Sequence, residues 1–300
     1  MQKIAKVHLF PTGRLGNQLY FAAAALTLRK KLIAQGFSPK VILHAPEPLE
    51  DLKYLVNFEA EKIAKDSIAR MIIGKRTLQK ANILIRFLSK LFRSRYELNS
   101  QNITTFDEVN PAHFRPRIKI SESRHDYRFF EDIKDEIFQY QRKKLGSLLT
   151  SARINDEDFD SKIAVHMRFG DYLAPGIAAQ YGNLSQSYYR RALQELIGMD
   201  RIEKAHIQLF SDDVALGLDA LEKMGIENIS TYSNANLTPA QELLLMSQFS
   251  RIIISNSTFS WWAGYFAEKK SAVVAPNPLM LAAESNLSRS PHWIYVDGWA

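Results

Sequence analysis

The second half of the chain alternates short apolar runs with helix-like segments, and this alternation is its strongest constraint on fold. Residues 163–166, 206–210, 251–255 and 272–275 read as strands. Residues 187–197 read as a helix, and further helices are expected after Ser211-Asp212-Asp213 and from Asn256 onward. Thr238-Pro239-Ala240-Gln241 reads as a helix start, with Thr as N-cap, Pro in the first turn and Gln at the third position. Pro276 should stop the last strand. Strands separated by helices predict a parallel, doubly wound sheet, since parallel neighbours can be joined only by long crossovers.

The first half opens in the same style. Residues 6–10 predict a strand, 11–16 a glycine-bearing turn, 17–31 an alanine-rich helix and 41–44 a second strand. Residues 60–96 read as helical and basic, 118–121 as a strand, and 126–149 as mostly helical. A chain of 300 residues fits two domains of about 150 each. The polar, acid-rich stretch 152–160 marks the expected boundary, giving an acceptor-side domain 1–157 and a donor domain 158–300.

Composition excludes several chemistries. The chain has no cysteine, which removes disulfides, Cys-ligated zinc, Fe–S clusters and thiol nucleophiles. The first ten residues lack the apolar core of ~7–15 residues of a secretory signal. The apolar run 19–26 is far below the ~20 residues that span a bilayer. A cytoplasmic location is the expectation. The net charge of +7 is concentrated: between Lys62 and Arg95 lie ten basic residues and one acid, so the remainder is net acidic. That segment suggests peripheral attachment to an anionic membrane surface at its inner face, or else a solvated helical face beside a core face formed by Leu84, Phe87, Leu88 and Leu91.

Ligands of open parallel sheets sit beyond the carboxyl ends of the strands. Three expected strands end there in polar clusters: His166-Met167-Arg168, Ser211-Asp212-Asp213 and Ser255-Asn256-Ser257-Thr258. An arginine, a carboxylate pair and a hydroxyl-rich helix N-terminus together suit a nucleoside diphosphate. Arg168 can grip phosphate oxygens in a bidentate way. Ser257, Thr258 and Ser260 add hydroxyls to the unpaired N–H groups of a helix start. Asp212 or Asp213 can accept from ribose hydroxyls or base N–H groups. Each has a structural alternative: N-capping for Ser257, Thr258, Asp212 and Asp213, and a satisfied buried ring for His166. No G-x-x-x-x-G-K-[ST] or G-x-G-x-x-G is present, which argues against a P-loop or dinucleotide enzyme, and no cluster has clear metal spacing. In the first half, Gly13 and Gly16 permit a tight turn that presents Arg14, Asn17 and Gln18 to a cleft, or leaves Asn17 as a simple cap.

Three segments resemble the signatures of the α-1,2-fucosyltransferases, glycosyltransferase family 11. They are Gly13-Arg14-Leu15-Gly16-Asn17-Gln18, His166-Met167-Arg168-Phe169-Gly170-Asp171-Tyr172 and Ser255-Asn256-Ser257-Thr258-Phe259-Ser260-Trp261-Trp262. The resemblance implies a GT-B fold of two Rossmann-like domains, GDP-fucose as donor, no metal or other cofactor, and inversion at the anomeric carbon. It places Arg168 on the donor diphosphate, and together with the strand-end reading the expected donor site is His166, Arg168, Asp212, Asp213, Asn256, Ser257, Thr258, Phe259 and Ser260, with Arg14, Asn17 and Gln18 at the acceptor or cleft. Its usual motif carries a second arginine where this chain has Phe169.

The implied reaction moves fucose to a hydroxyl, O2 of a galactoside, on a glycan or lipid-linked oligosaccharide. Arg168 and the helix start at Ser257-Thr258 would stabilise charge on the leaving phosphate. Asp171 is the first candidate for general base, with a structural bond within its own loop as the alternative, and Asp126 is a second candidate. Rival readings are transfer of another sugar from another nucleotide, and a nucleic-acid binder using residues 62–95. The latter leaves the polar strand ends unexplained, so no nucleic-acid partner is expected.

Overall fold

The structure is a computed structural model. It describes residues 3–9, 11, 13–43, 55–56, 62–63, 96–98, 117–120, 127, 130–154, 158–174, 176, 178, 181–232, 236–267, 271–279 and 289–299. The chain divides into two compact units, Met1–Gln141 and Arg142–Ala300.

The first unit carries β1 (Lys3–Leu9), α1 (Leu15–Ala34), β2 (Phe37–Leu43), β3 (Lys62–Ile63), β4 (Tyr96–Leu98) and β5 (Arg117–Ile120). A helix α2 (Lys134–Ala152) follows, entered through a 3-10 turn at Glu131–Ile133, and the division between units falls inside it. The five strands form one sheet in the order β3-β2-β1-β5-β4, with every pairing parallel. The expected β1–α1–β2 opening is present, with both strands longer and earlier than their sequence signals. Gly13 has φ +81°, a conformation that only glycine takes at low cost, and it turns the chain from β1 into α1. Gly36, also at φ +81°, closes the other end by donating its N–H to the Ile33 carbonyl at 2.9 Å. Helix α1 buries Leu15, Leu19, Tyr20, Ala23, Leu28 and Leu32, whose aliphatic and aromatic side chains make up much of this unit's core.

Residues 60–96 were expected to be helical. Of these, Lys62–Ile63 and Tyr96 are described, and both belong to strands at the two sides of the sheet. Helical periodicity carries no information on which short segments a growing sheet recruits as edge strands. The remainder of the basic segment, and Asp126, lie outside the described residues.

The second unit runs α3 (Asp158–Ser161), β6 (Ile163–Met167), α4 (Gln186–Ile197), β7 (Ile207–Ser211), α5 (Val214–Glu222), β8 (Ile229–Thr231), α6 (Pro239–Met246), β9 (Arg251–Ile253), α7 (Thr258–Phe266), β10 (Ala272–Asn277) and β11 (Ile294–Asp297). Its six strands are all parallel, in the order β11-β10-β9-β6-β7-β8. Read from β8, this is the third, second, first, fourth, fifth and sixth strand of the unit, the Rossmann order. Strand β6 is buried along its whole length, as a strand covered on both faces must be. Ile163, Val165 and Met167 face a core that includes Tyr188, Tyr189, Ala192 and Leu193 of α4 and Leu221 of α5. The alternate residue His166 faces α7, where its ring stacks on Phe259 at 5.3 Å.

Strand β10 continues through Pro276, against expectation. The β9 ladder reaches only Val274, so the proline costs no bond on that side, and Pro276 pairs in register with Val296 of β11. Two Rossmann-like units of parallel sheet therefore make up the chain, the elements of a GT-B type protein. Among the described residues no helix is long and apolar enough to cross a membrane.

Candidate active site

The strand order of the second unit reverses between β6 and β9. The loops that leave these two strands part in opposite directions, and the crevice they leave is where parallel sheets take ligands. Both carboxyl ends are occupied by the segments singled out from sequence.

A buried polar chain bridges the two strand ends. His166 Nδ1 lies 2.7 Å from Ser255 Oγ, and Ser255 Oγ lies 3.4 Å from Ser260 Oγ. Ser260 donates to the carbonyls of Ser255 and Ser257 and accepts from the Ser255 N–H. Burial, with Arg168 adding to it, lowers the His166 pKa from 6.5 to about 3, so the ring is neutral. The ring is buried and bonded at Nδ1, and it ties β6 to the turn that opens α7. Ser257 caps α7, accepting from the Phe259 N–H at 3.3 Å. Thr258 begins the helix and is half-buried.

Arg168 follows β6, with its side chain 12% exposed. Its Nη1 pairs with Asp212 Oδ2 at 2.8 Å, and its Nη2 pairs with Asp171. Asp212 also accepts the Phe169 N–H at 2.9 Å. Asp213 instead caps α5, accepting from the Leu216 N–H at 3.1 Å. The structural alternative named for the carboxylate pair therefore describes Asp213, while Asp212 reaches the arginine.

The loop after Arg168 is held from two further sides. Tyr172, in the 3-10 turn Gly170–Leu173, stacks on Tyr181 at 5.4 Å with planes 15° apart. The Arg168 guanidinium lies 5.4 Å from the Tyr172 ring centre. Tyr172 donates to the Asn256 carbonyl, and the Asn256 amide donates to the carbonyls of Tyr181 and Gly182, each at 3.0 Å. Asn256 is 1% exposed, and both its amide hydrogens are used inside the protein. Phe169 packs against the core of this unit, which is a reason for an apolar residue at that position. Tyr172 was quoted only as the end of a signature segment, with no role of its own, and Tyr181 was not singled out from sequence; their stacking depends on a loop path no pattern reveals.

In the first unit, Gln18 folds back to donate to the Gly13 carbonyl at 3.0 Å. Arg14 is the exposed N-cap residue of α1, and Asn17 Oδ1 is buried without a hydrogen-bond partner. Here Asn17 is not the cap.

Two Rossmann-like units, with polar side chains gathered at the switch point of the second sheet, define an α/β protein of the GT-B type. The chain belongs to glycosyl transferase family 11, whose family model matches residues 13–297. It is 28% identical over 137 residues to the O-antigen biosynthesis glycosyltransferase WbnK of Escherichia coli, covering 45% of this chain and 43% of that protein. It is 26% identical over 156 residues to the galactoside 2-alpha-L-fucosyltransferase SEC1 of Bos taurus, covering 49% and 41%. An alpha-1,2-colitosyltransferase of Escherichia coli is 25% identical over 166 residues, covering 51% and 55%. The chain spans about half the length of the curated relatives it matches.

Proposed function

We propose that the chain is a glycosyltransferase that moves fucose, or a closely related deoxy sugar, from a GDP-linked donor to a hydroxyl of a glycan acceptor, O2 of a galactoside being the first choice. The observation that carries this reading is that Arg168, held by Asp212 after β6, and the Ser257-capped N-terminus of α7 after β9 stand at the carboxyl ends of two paired strands at the switch point of a family 11 chain. A guanidinium has five N–H donors, and Asp171 and Asp212 take two, which leaves the others for phosphate oxygens.

In the proposed reaction the acceptor oxygen attacks the anomeric carbon as the bond from that carbon to the β-phosphate oxygen breaks. GDP leaves with the electron pair, and the anomeric configuration inverts. Negative charge grows on the β-phosphate, where Arg168 and the helix N–H groups stabilise it without a metal ion. Asp171, on the same loop, takes the acceptor proton. Arg14, Asn17 and Gln18 are proposed to engage the acceptor, and Thr258 the donor. Residues 62–95 are proposed to rest on an anionic membrane surface at the cytoplasmic face, close to a lipid-linked acceptor.

The test is transfer from GDP-fucose, and from other GDP- and UDP-sugars, to a panel of galactosides with EDTA present, with product linkage determined. An α-1,2-fucosylated product is expected. The alpha-1,2-colitosyltransferase among the relatives makes a related deoxy sugar the first alternative donor to include. No transfer from any GDP-sugar would overturn the proposal.

A further inference from the structure

The geometry points to Asp212 as the positioning residue of Arg168, acting through the guanidinium and not on the donor itself. This inference rests on the donor reading proposed above. Three observations carry it. One carboxylate oxygen of Asp212 accepts from Arg168 Nη1 at 2.8 Å, and the other accepts the Phe169 N–H at 2.9 Å. Both oxygens therefore serve the turn that begins at Arg168. The third observation is Gly170, with φ +28°: a Cβ placed there would lie 2.2 Å from Asp212 Oδ2. No carbon tolerates an oxygen that close, so Asp212 can reach the arginine only where residue 170 has no side chain.

The arrangement has a physical purpose. Arg168 leaves the end of β6 on a loop, and a loop arginine has several rotatable bonds to order before it can meet a developing charge. Asp212, one residue beyond the end of β7, is fixed by the sheet: β7 pairs with β6 in register from Ile163 with Ile207 to Met167 with Ser211. The carboxylate thus transmits the position of a neighbouring strand to the guanidinium. Charge stabilisation that is placed in advance costs no reorganisation when the leaving group departs.

The experiment compares the full-length chain with Asp212→Asn, Gly170→Ala, Arg168→Ala and the double variant Arg168→Ala/Asp212→Asn, reading kcat for transfer from GDP-fucose and the Kd of guanosine and of GDP. If Asp212 acts through Arg168, Asp212→Asn lowers kcat about 10- to 100-fold while guanosine affinity stays within about twofold. The double variant is then no slower than Arg168→Ala alone. Gly170→Ala reproduces the Asp212→Asn phenotype by displacing the carboxylate, and it decides the matter if Asp212→Asn does not fold. A parallel loss of guanosine affinity would overturn the inference by making Asp212 a direct donor ligand. So would a wild-type kcat in both Asp212→Asn and Gly170→Ala, or a double variant slowed by the product of the Arg168→Ala and Asp212→Asn losses. A wild-type chain that binds neither GDP nor guanosine would instead remove the donor reading on which the inference stands.

Discussion

His166 shows how much a single side chain is decided by its surroundings. Its ring is buried, neutral and bonded to Ser255, and burial holds its pKa near 3. An unfolded histidine titrates near 6.5. Between these values the unfolded chain takes up a proton that the native chain refuses, so this contribution to stability is complete above about pH 6.5 and is lost as the pH falls toward 3. At about 1.4 kcal/mol per pH unit, the cost attributable to His166 between pH 7 and pH 5 is about 2 kcal/mol. Urea unfolding of wild type and His166→Gln at the two pH values checks this, and a shallower pH dependence is expected in the variant. Parallel dependence would show that the ring is not the group responsible. Asp171 is a separate case, because it is 37% exposed and pairs with Arg168. As the proposed base it works as a carboxylate, so wild-type kcat should fall at low pH. Asp171→Asn should lower kcat and abolish that fall, whereas a retained acid limb would assign the base elsewhere.

Elements in this chain are specified locally where their ends carry side-chain chemistry. The capping box at α6 reads directly from sequence: Thr238 Oγ1 accepts from the Gln241 N–H at 3.4 Å, and the Gln241 side chain accepts from the Thr238 N–H at 2.8 Å. Thr238→Ala should cost about 1 kcal/mol, measurable as a lowered thermal midpoint with GDP binding retained, since the cap takes no part in the proposed site. Helix α7 is different. Its first residues belong to the site, while Trp261 and Trp262 are fully buried and pack edge-on at 5.2 Å, with Tyr265 stacked on Trp261. The most family-specific run in the chain is thus half turn at the candidate site and half core. Strand ends were less legible, because a strand stops where its neighbour's ladder stops. Strand β10 runs through Pro276 for that reason, and β11 went unread because four residues of mixed polarity carry no period-2 signal.

At the scale of the molecule, charge is the one property the sequence places without any fold. The excess of positive charge lies between Lys62 and Arg95, and the remainder of the chain is net acidic. If residues 62–95 seat the enzyme on a membrane, full-length protein should sediment with vesicles in proportion to their anionic lipid content, and added salt should release it. Binding indifferent to anionic lipid would overturn that role. Strand–helix alternation determined the α/β class and the parallel sheets, since both follow from local period and crossover length. The three polar clusters were also readable, because residues that end strands and start helices carry recognisable side chains. Only the tertiary structure decided what each cluster touches. It gave His166 and Ser260 to a buried bridge between β6 and β9, Asp213 to a cap, and Asp212 to Arg168. These assignments depend on which strands lie side by side and in what register. Two carboxylates adjacent in sequence differ in role because a strand end points one toward the neighbouring strand and the other back over its own helix.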